Sequence, residues 1–404
     1  MRQRAKRPVR LRNKLVLALF GLALGVCVGD VLLRLMTVRE PDGKLRIGRS
    51  LLAPFEFQTR EEARSVLEAD ETYMVPDSRL GWTLRPNGRD RKLGLYATNS
   101  FGLRSLPREA LPAPAAGVVR VLAVGDSFTH SDQVPYEDSW THLLERELGS
   151  GFEVLNGGVP GYGTDQALLR WRELGPKLTP RIAIFGLILE DAFRNVNMFR
   201  TLEYAATSFP LSKPRFVLEG MGLRLVNCPV VTADEIPEVL RGFDRHPLRP
   251  YEYWYIPDLY KPHVLDVSRL HAYVRSRVIW RQRSALVRQA LAPGSEALRL
   301  VARTARLFCE EARALGALPK VVVIPSVKDL TALKAGENPW EALEQALNAD
   351  GVDSVFFLPH VLLEQLLGAE PTSLYVDGVG HLNRSGNEAV ARLFAGEIRK
   401  LPGK

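Results

Sequence analysis

The chain has 404 residues, 46% hydrophobic and 25% charged, a globular composition that excludes a disordered or fibrous protein. Its net charge of +8 is unevenly placed: residues 1–14 carry seven Lys/Arg and no acid, and the remaining 47 basic residues face 46 acidic ones. A body at +1 lacks the basic face that nucleic acid requires, so no nucleic-acid partner is expected.

After the basic tail comes LVLALFGLALGVCVGDVLL, residues 15–33, uncharged from Leu15 to Gly29 and apolar again through Val38. As a helix, 19 residues reach about 28 Å, close to the hydrocarbon thickness of a bilayer. The reading is a transmembrane signal anchor over 15–38. Asp30 lies near the far interface, and Arg34 reaches towards headgroups. Positive residues stay on the cytoplasmic side, which puts the 1–14 tail inside and the rest outside, on the periplasmic or outer face. The alternative, a signal peptide cleaved after Gly25, exports the same chain. Of three cysteines, Cys27 falls in the span. Cys228 and Cys309 are either a pair or two small buried side chains, and no CxxC or metal-type cluster is present.

Residues 39–115 form a juxtamembrane segment rich in turn formers, with short strand-like pieces at LGWTL (80–84) and KLGLYATNS (92–100). LPAPAAG (111–117) marks a boundary. From 116 to 404 the pattern changes. Apolar strands are expected at 118–124, 152–159, 181–189, 320–326 and 352–358. Helical patterns fall at 136–148, 164–175, 295–315, 338–348 and 386–401. Thr164 or Asp165 caps the second of them. Five such strands separated by helices imply α/β, a doubly wound three-layer sandwich on a five-stranded parallel sheet. An insertion at about 196–290, with the aromatic run Tyr251, Tyr253, Trp254, Tyr255 and Tyr260, interrupts the alternation. It reads as a cap, its aromatics either packed as a core or stacking on sugar rings.

Ligands bind open parallel sheets at the carboxyl ends of the strands. There the sequence places Gly125-Asp126-Ser127 after strand one and Asn156-Gly157-Gly158-Val159-Pro160-Gly161 after strand two. Glu190-Asp191, with Arg194 and Asn195, follows strand three, and Asp377 with His381 and Asn383 precedes the last helix. A hydroxyl, a base, a carboxylate and glycine-rich amides are the parts of nucleophilic acyl transfer. His130 either lines the pocket or caps a helix, and Asp126 holds the loop.

In this order the motifs resemble the SGNH (GDSL-type) hydrolases, over about 118–200 and 318–400. LGWTLRPN (80–87) and TNSFGLR (98–104) are similar to phrases of membrane-anchored members. The resemblance implies a flavodoxin-like fold, a catalytic Ser127, a base at His381 and an oxyanion hole from Ser127 and Gly161. It has two departures. Glu190 stands where the family carries an oxyanion-donating Asn: either a protonated Glu190 donates to the oxyanion, or Arg194 or Asn195 supplies the donor, with Glu190 turned away to pair with Arg194. Asp377 is four residues before His381 rather than three, and is either the orienting acid or a turn former beside a Ser–His dyad. The activity implied is ester hydrolysis or O-acyl transfer on an acylated envelope glycan or lipid, with no metal or organic cofactor. The second reading is a catalytically weak module that binds envelope glycan or assists its assembly.

Overall fold

The computed structural model describes residues 11–40, 44–48, 50–57, 61, 72–106, 113–204, 207, 210–220 and 222–401. Most of the basic tail and the start of the 111–117 boundary lie outside the described residues. The chain divides into two compact units, one of residues 1–57 with 256–286, the other of 58–255 with 287–404. The insertion foreseen at 196–290 is therefore split between them.

In the first unit, helix α1 runs Leu11–Met36. It contains one segment long and apolar enough to cross a membrane, Arg12–Met36, with mean hydropathy 2.4 and none of that window buried. The helix stops before Val38, because Thr37–Arg39 is a strand of a small antiparallel sheet. Arg34 is committed to Asp30, at 2.7 Å, and to the Val267 carbonyl. A small core of Ala53, Phe55, Ile256, Leu259 and Ile279 completes the unit, with Tyr260 stacked on Phe57 at 4.4 Å.

The second unit is built on five parallel strands: β1 Val119–Val124, β2 Phe152–Asn156, β3 Ile182–Leu187, β4 Leu318–Val323 and β5 Val355–Phe357. Their order across the sheet is β5-β4-β3-β1-β2. This is the doubly wound arrangement expected, with its switch point beside β1, where the order reverses and a crevice opens. After α1 come α2 Trp140–Leu148, α3 Thr164–Leu178, α4 Arg269–Ala290, most of which belongs to the first unit, α5 Glu296–Ala314 and α6 Arg384–Arg399.

Strands buried on both faces need apolar side chains on both. On one face Val121, Ala123 and Val154 meet Trp140 of α2 and Phe394 of α6, whose rings stack at 5.0 Å. Phe185 of β3 packs on Phe308 of α5, which meets Trp171 of α3 edge-on. The charge that interrupts β1 is satisfied: buried Arg120 bonds Glu153 of β2 at 2.7 Å and the Leu178 carbonyl at 2.8 Å, closing the end of α3.

Several details differ from the sequence reading. Gly163, not Thr164 or Asp165, caps α3, and buried Asp165 instead pairs with buried Lys213. The strand expected at 92–100 is a series of turns with single bridges, because side chains capture the main-chain donors. Asp90 accepts from Lys92 N and Leu93 N, and Asn99 Oδ1 from Phe101 N and Leu103 N. Such local capture competes with a ladder. LGWTL does form a strand, Gly81–Leu84, against Met74–Asp77. The thiols of Cys228 and Cys309 are free, the first exposed and the second buried. Of the aromatic run, Trp254 and Tyr255 are core, the indole N–H of Trp254 donating to the Phe193 carbonyl.

Candidate active site

β1 ends in a forced geometry. A Cβ on Gly125 would lie 2.5 Å from the Gly186 carbonyl of β3, so only glycine lets the chain turn there. The chain then winds into the short turn Ser127–His130. The Asp126 carboxylate caps it, accepting from Phe128 N at 2.9 Å and Thr129 N at 3.3 Å. That is the loop-holding part expected of Asp126, and it presents Ser127 at the strand end.

The second block packs directly on this turn. A Cβ on Gly158 would meet His130 N at 2.3 Å. The Asn156 amide donates to the Thr129 carbonyl and to Thr141 Oγ1, both at 2.9 Å. Gly161 then turns with φ +77°. Among the described residues, no hydrogen bond occupies the main-chain N–H of Ser127 or of Gly161, and both residues line one cavity of about 480 Å³.

His381 enters from the loop before α6. Its companion Asn383 fixes that loop, donating to the Ser373 carbonyl at 2.8 Å and capping α6 through Gly386 N at 3.0 Å. His381 Nε2 lies 2.9 Å from Ser127 Oγ. On the other side of the ring, Nδ1 lies 2.9 Å from Gln133 Oε1, and the His381 main-chain N–H donates to the same oxygen at 2.8 Å. The main-chain N–H can only donate, so the Gln133 atom there is the carbonyl oxygen, an acceptor. Nδ1 must then carry the proton, which leaves Nε2 bare to accept from the Ser127 hydroxyl.

Asp377 does not occupy this position. It sits exposed at the tip of the turn Val376–Gly378, with φ +50°. Closure of that loop by Val376 N on the His381 carbonyl and Gly380 N on the Val376 carbonyl, both 2.8 Å, accounts for the longer spacing. Gln133 belongs to none of the motifs in the sequence. It is brought round by two left-handed residues, Ser131 (φ +62°) and Gln133 itself (φ +70°), neither a glycine that would have announced the turn.

The upstream phrase TNSFGLR has a structural task here. Buried Arg104 donates to the carbonyls of His130, Ser131 and Val134, gripping the loop that carries Gln133. Tyr96 Oη accepts from Gln133 N at 2.8 Å, and the Arg104 guanidinium lies 4.8 Å from the Tyr96 ring centre.

The other expected donors are engaged elsewhere. Asn195 Nδ2 donates to Thr164 Oγ1 at 2.6 Å, and its Oδ1 accepts from Asp165 N, both at the start of α3. Arg194 pairs with Asp191 at 2.7 Å and Asp126 at 3.2 Å and donates to the Tyr162 carbonyl, rather than pairing with Glu190. Burial raises the Asp126 and Asp191 carboxyls against the pull of that shared cation. Glu190 itself lines the cavity, with Arg200 and Lys328.

His130 is buried rather than pocket-lining, held between Tyr73 Oη and Asp132 Oδ1. Burial and then the Arg104 cation lower its pKa to about 4. A histidine near 6.5 in the unfolded chain and near 4 when folded stabilises above 6.5, and that stability is lost as pH falls from 6.5 to 4. The loss is on the order of 3 kcal/mol. Urea titrations across that range are expected to show it, and a His130→Gln variant to lack most of it; equal slopes would contradict the assignment.

In a separate group, His263, Asp266 and His271 place one ligand atom each within 4.8 Å of one another. Asp266 there is already held by Arg275 at 2.6 Å and by His263 N at 2.8 Å, so a resident cation competes with a metal.

No family model matches the chain. An arylesterase of Vibrio mimicus is 32% identical over 87 residues, which are 21% of this chain and 44% of the arylesterase. The chain thus spans less than half the length of that relative. Solved structures similar to it include a lipolytic protein of the G-D-S-L family from Veillonella parvula, at 13% identity and TM-score 0.35, over 70% of this chain and 100% of that one. An acetylxylan esterase of Geobacillus stearothermophilus is similar at 13% identity and TM-score 0.35, over 70% and 96%. The chain resembles the SGNH (GDSL-type) hydrolases in the order of its motifs and in the sheet that carries them.

Proposed function

We propose that the protein is an SGNH-type serine esterase or O-acyltransferase, anchored in the membrane by α1 with its catalytic unit on the outer side. The observation that carries this reading is the Ser127–His381 contact of 2.9 Å, with the far side of the imidazole held by an acceptor. Ser127 Oγ attacks the acyl carbonyl while its proton passes to His381 Nε2. The main-chain N–H groups of Ser127 and Gly161 receive the oxyanion. The intermediate collapses, the departing alkoxide takes the proton from Nε2, and an acyl-serine remains. Water, or a carbohydrate hydroxyl, deprotonated by His381, then attacks the acyl-serine and releases Ser127.

The cavity supports a small acyl group on a hydrophilic carrier. Glu190, Arg194, Arg200 and Lys328 line it among apolar residues such as Phe128, Val327 and Val379, and such charges in the wall suit a hydrophilic carrier better than a long acyl chain. An acylated envelope glycan is therefore favoured over a lipid ester. The seat outside the membrane rests on the apolar α1 and on the basic residues that precede it.

Glu190 favours the second reading, a weak enzyme that binds glycan, because a carboxylate lining this cavity supplies no amide donor for the developing charge. The test is acetate release from acetylated oligosaccharides by the purified full chain, with and without an unacetylated sugar acceptor. Release that vanishes in Ser127→Ala supports the enzyme, and transfer to the acceptor selects the transferase. In the same assay Glu190→Asn is expected to raise kcat about tenfold by restoring a neutral donor. Binding of the oligosaccharide without any Ser127-dependent release sinks the enzymatic reading.

A further inference from the structure

The first unit carries an apolar surface that the proposed reaction does not use. The turn Val264–Val267 exposes Val264 at 83%, Leu265 at 54% and Val267 at 75%. Single exposed aliphatics are ordinary, but three within four residues form a patch, and patches mark interaction sites.

The turn is fixed to the end of α1. Arg34 donates to the Val267 carbonyl; Ser268 Oγ and Leu270 N donate to Asp30 Oδ1 at 2.8 and 3.0 Å. Gly29 and Leu270 are neighbours: a Cβ on Gly29 would make ordinary van der Waals contact with the Leu270 side chain at 3.8 Å. These contacts settle where the patch lies along α1: beside Gly29–Met36, the last two turns of the apolar helix. Asp30 and Arg34 neutralise each other there, and Asp30 has further donors from the turn, so the polar groups at this depth are satisfied. The helix that follows, α4, exposes Val274 and Val278 with Arg277 and Arg281 at helical spacing, an apolar and basic mixture suited to anionic headgroups.

We propose that the Val264–Val267 turn inserts into the outer leaflet next to α1, making the first unit a two-point membrane contact rather than a single helix on a tether. The occupant is the bilayer that α1 spans, so the inference rests on the anchor reading. The experiment uses the full chain in vesicles of phosphatidylethanolamine and phosphatidylglycerol, with Cys27→Ala and Cys228→Ala as background. Spin labels are placed singly through Val264→Cys, Val267→Cys, Leu19→Cys in the span, and Glu370→Cys as an aqueous reference. Labels at 264 and 267 are expected to lose collisions with a water-soluble nickel chelate and keep those with oxygen, as at 19 and unlike at 370. Free collision with the chelate at 264 or 267, while 19 stays shielded, overturns the insertion and leaves the anchor standing. Immobilised labels shielded from both reagents mean that another protein, or a second copy, covers the turn, and overturn it too. Chelate access at 19 removes the anchor reading and this inference with it.

Discussion

Replacing Gln133 with alanine is expected to lower kcat by on the order of 10²-fold with little change in KM, while Asp377→Ala stays within about twofold. The reason is the tautomer. With Gln133 Oε1 at 2.9 Å from Nδ1, the imidazole keeps its proton on that side and its lone pair towards Ser127. Without the acceptor, the ring is free to rotate or to hold its proton on Nε2, and the serine loses its base. Asp377, exposed at a loop tip, has no comparable hold on the ring. Gln133→Glu separates orientation from charge. The carboxylate would still accept from Nδ1 but would favour the imidazolium over the neutral ring. A base must be neutral to accept a proton, so the acidic limb of the kcat/KM profile is expected to move to higher pH. A Gln133→Ala enzyme of full activity beside a dead Asp377→Ala enzyme would assign the orienting role to Asp377 after all.

Arg104→Ala is expected to cost about 3–5 kcal/mol of stability and to depress kcat in whatever folded protein remains. One buried guanidinium serves three carbonyls of the loop 130–134. Its removal leaves three acceptors without that donor and a void beside Tyr96, and each lost hydrogen bond to a charged group is worth roughly 1.5–3 kcal/mol. The loop carries Gln133 in a left-handed conformation that an unsupported chain would relax. Arg104→Lys is expected to rescue little, because an ammonium cannot span the positions the planar fork reaches. Equilibrium denaturation together with steady-state kinetics reads both effects. A variant within about 1 kcal/mol of the parent would show that the loop holds itself.

The frame of the second unit is legible because strands buried on both faces must be almost wholly apolar, as Ile182–Leu187 is and as Val119–Val124 is apart from the paired Arg120. The rule that ligands gather at strand ends then singled out Ser127 and His381, which the fold brings together across 254 positions of sequence. The orienting group was not legible. Gln133 reaches the histidine through left-handed turns at residues with no special propensity for them, gripped by a side chain from residue 104. Asn195 misled for a similar reason. Its position after β3 is right for a donor, but the Thr164 hydroxyl lies nearer to hand and takes its amide. Nor does the composition of the aromatic run distinguish core from sugar platform; burial assigns Trp254 and Tyr255 to the core, while Tyr251, Tyr253 and Tyr260 are half-buried.

Whether Ser127 is an activated nucleophile is read most directly by covalent labelling of the 404-residue chain with a fluorophosphonate, the adduct being located by peptide mass spectrometry. The expected result is one adduct, on Ser127, absent in Ser127→Ala, greatly slowed in His381→Ala and Gln133→Ala, and unaffected in Asp377→Ala. A folded wild-type protein that stays unlabelled and hydrolyses no activated ester, or one that labels equally well without His381, would contradict it.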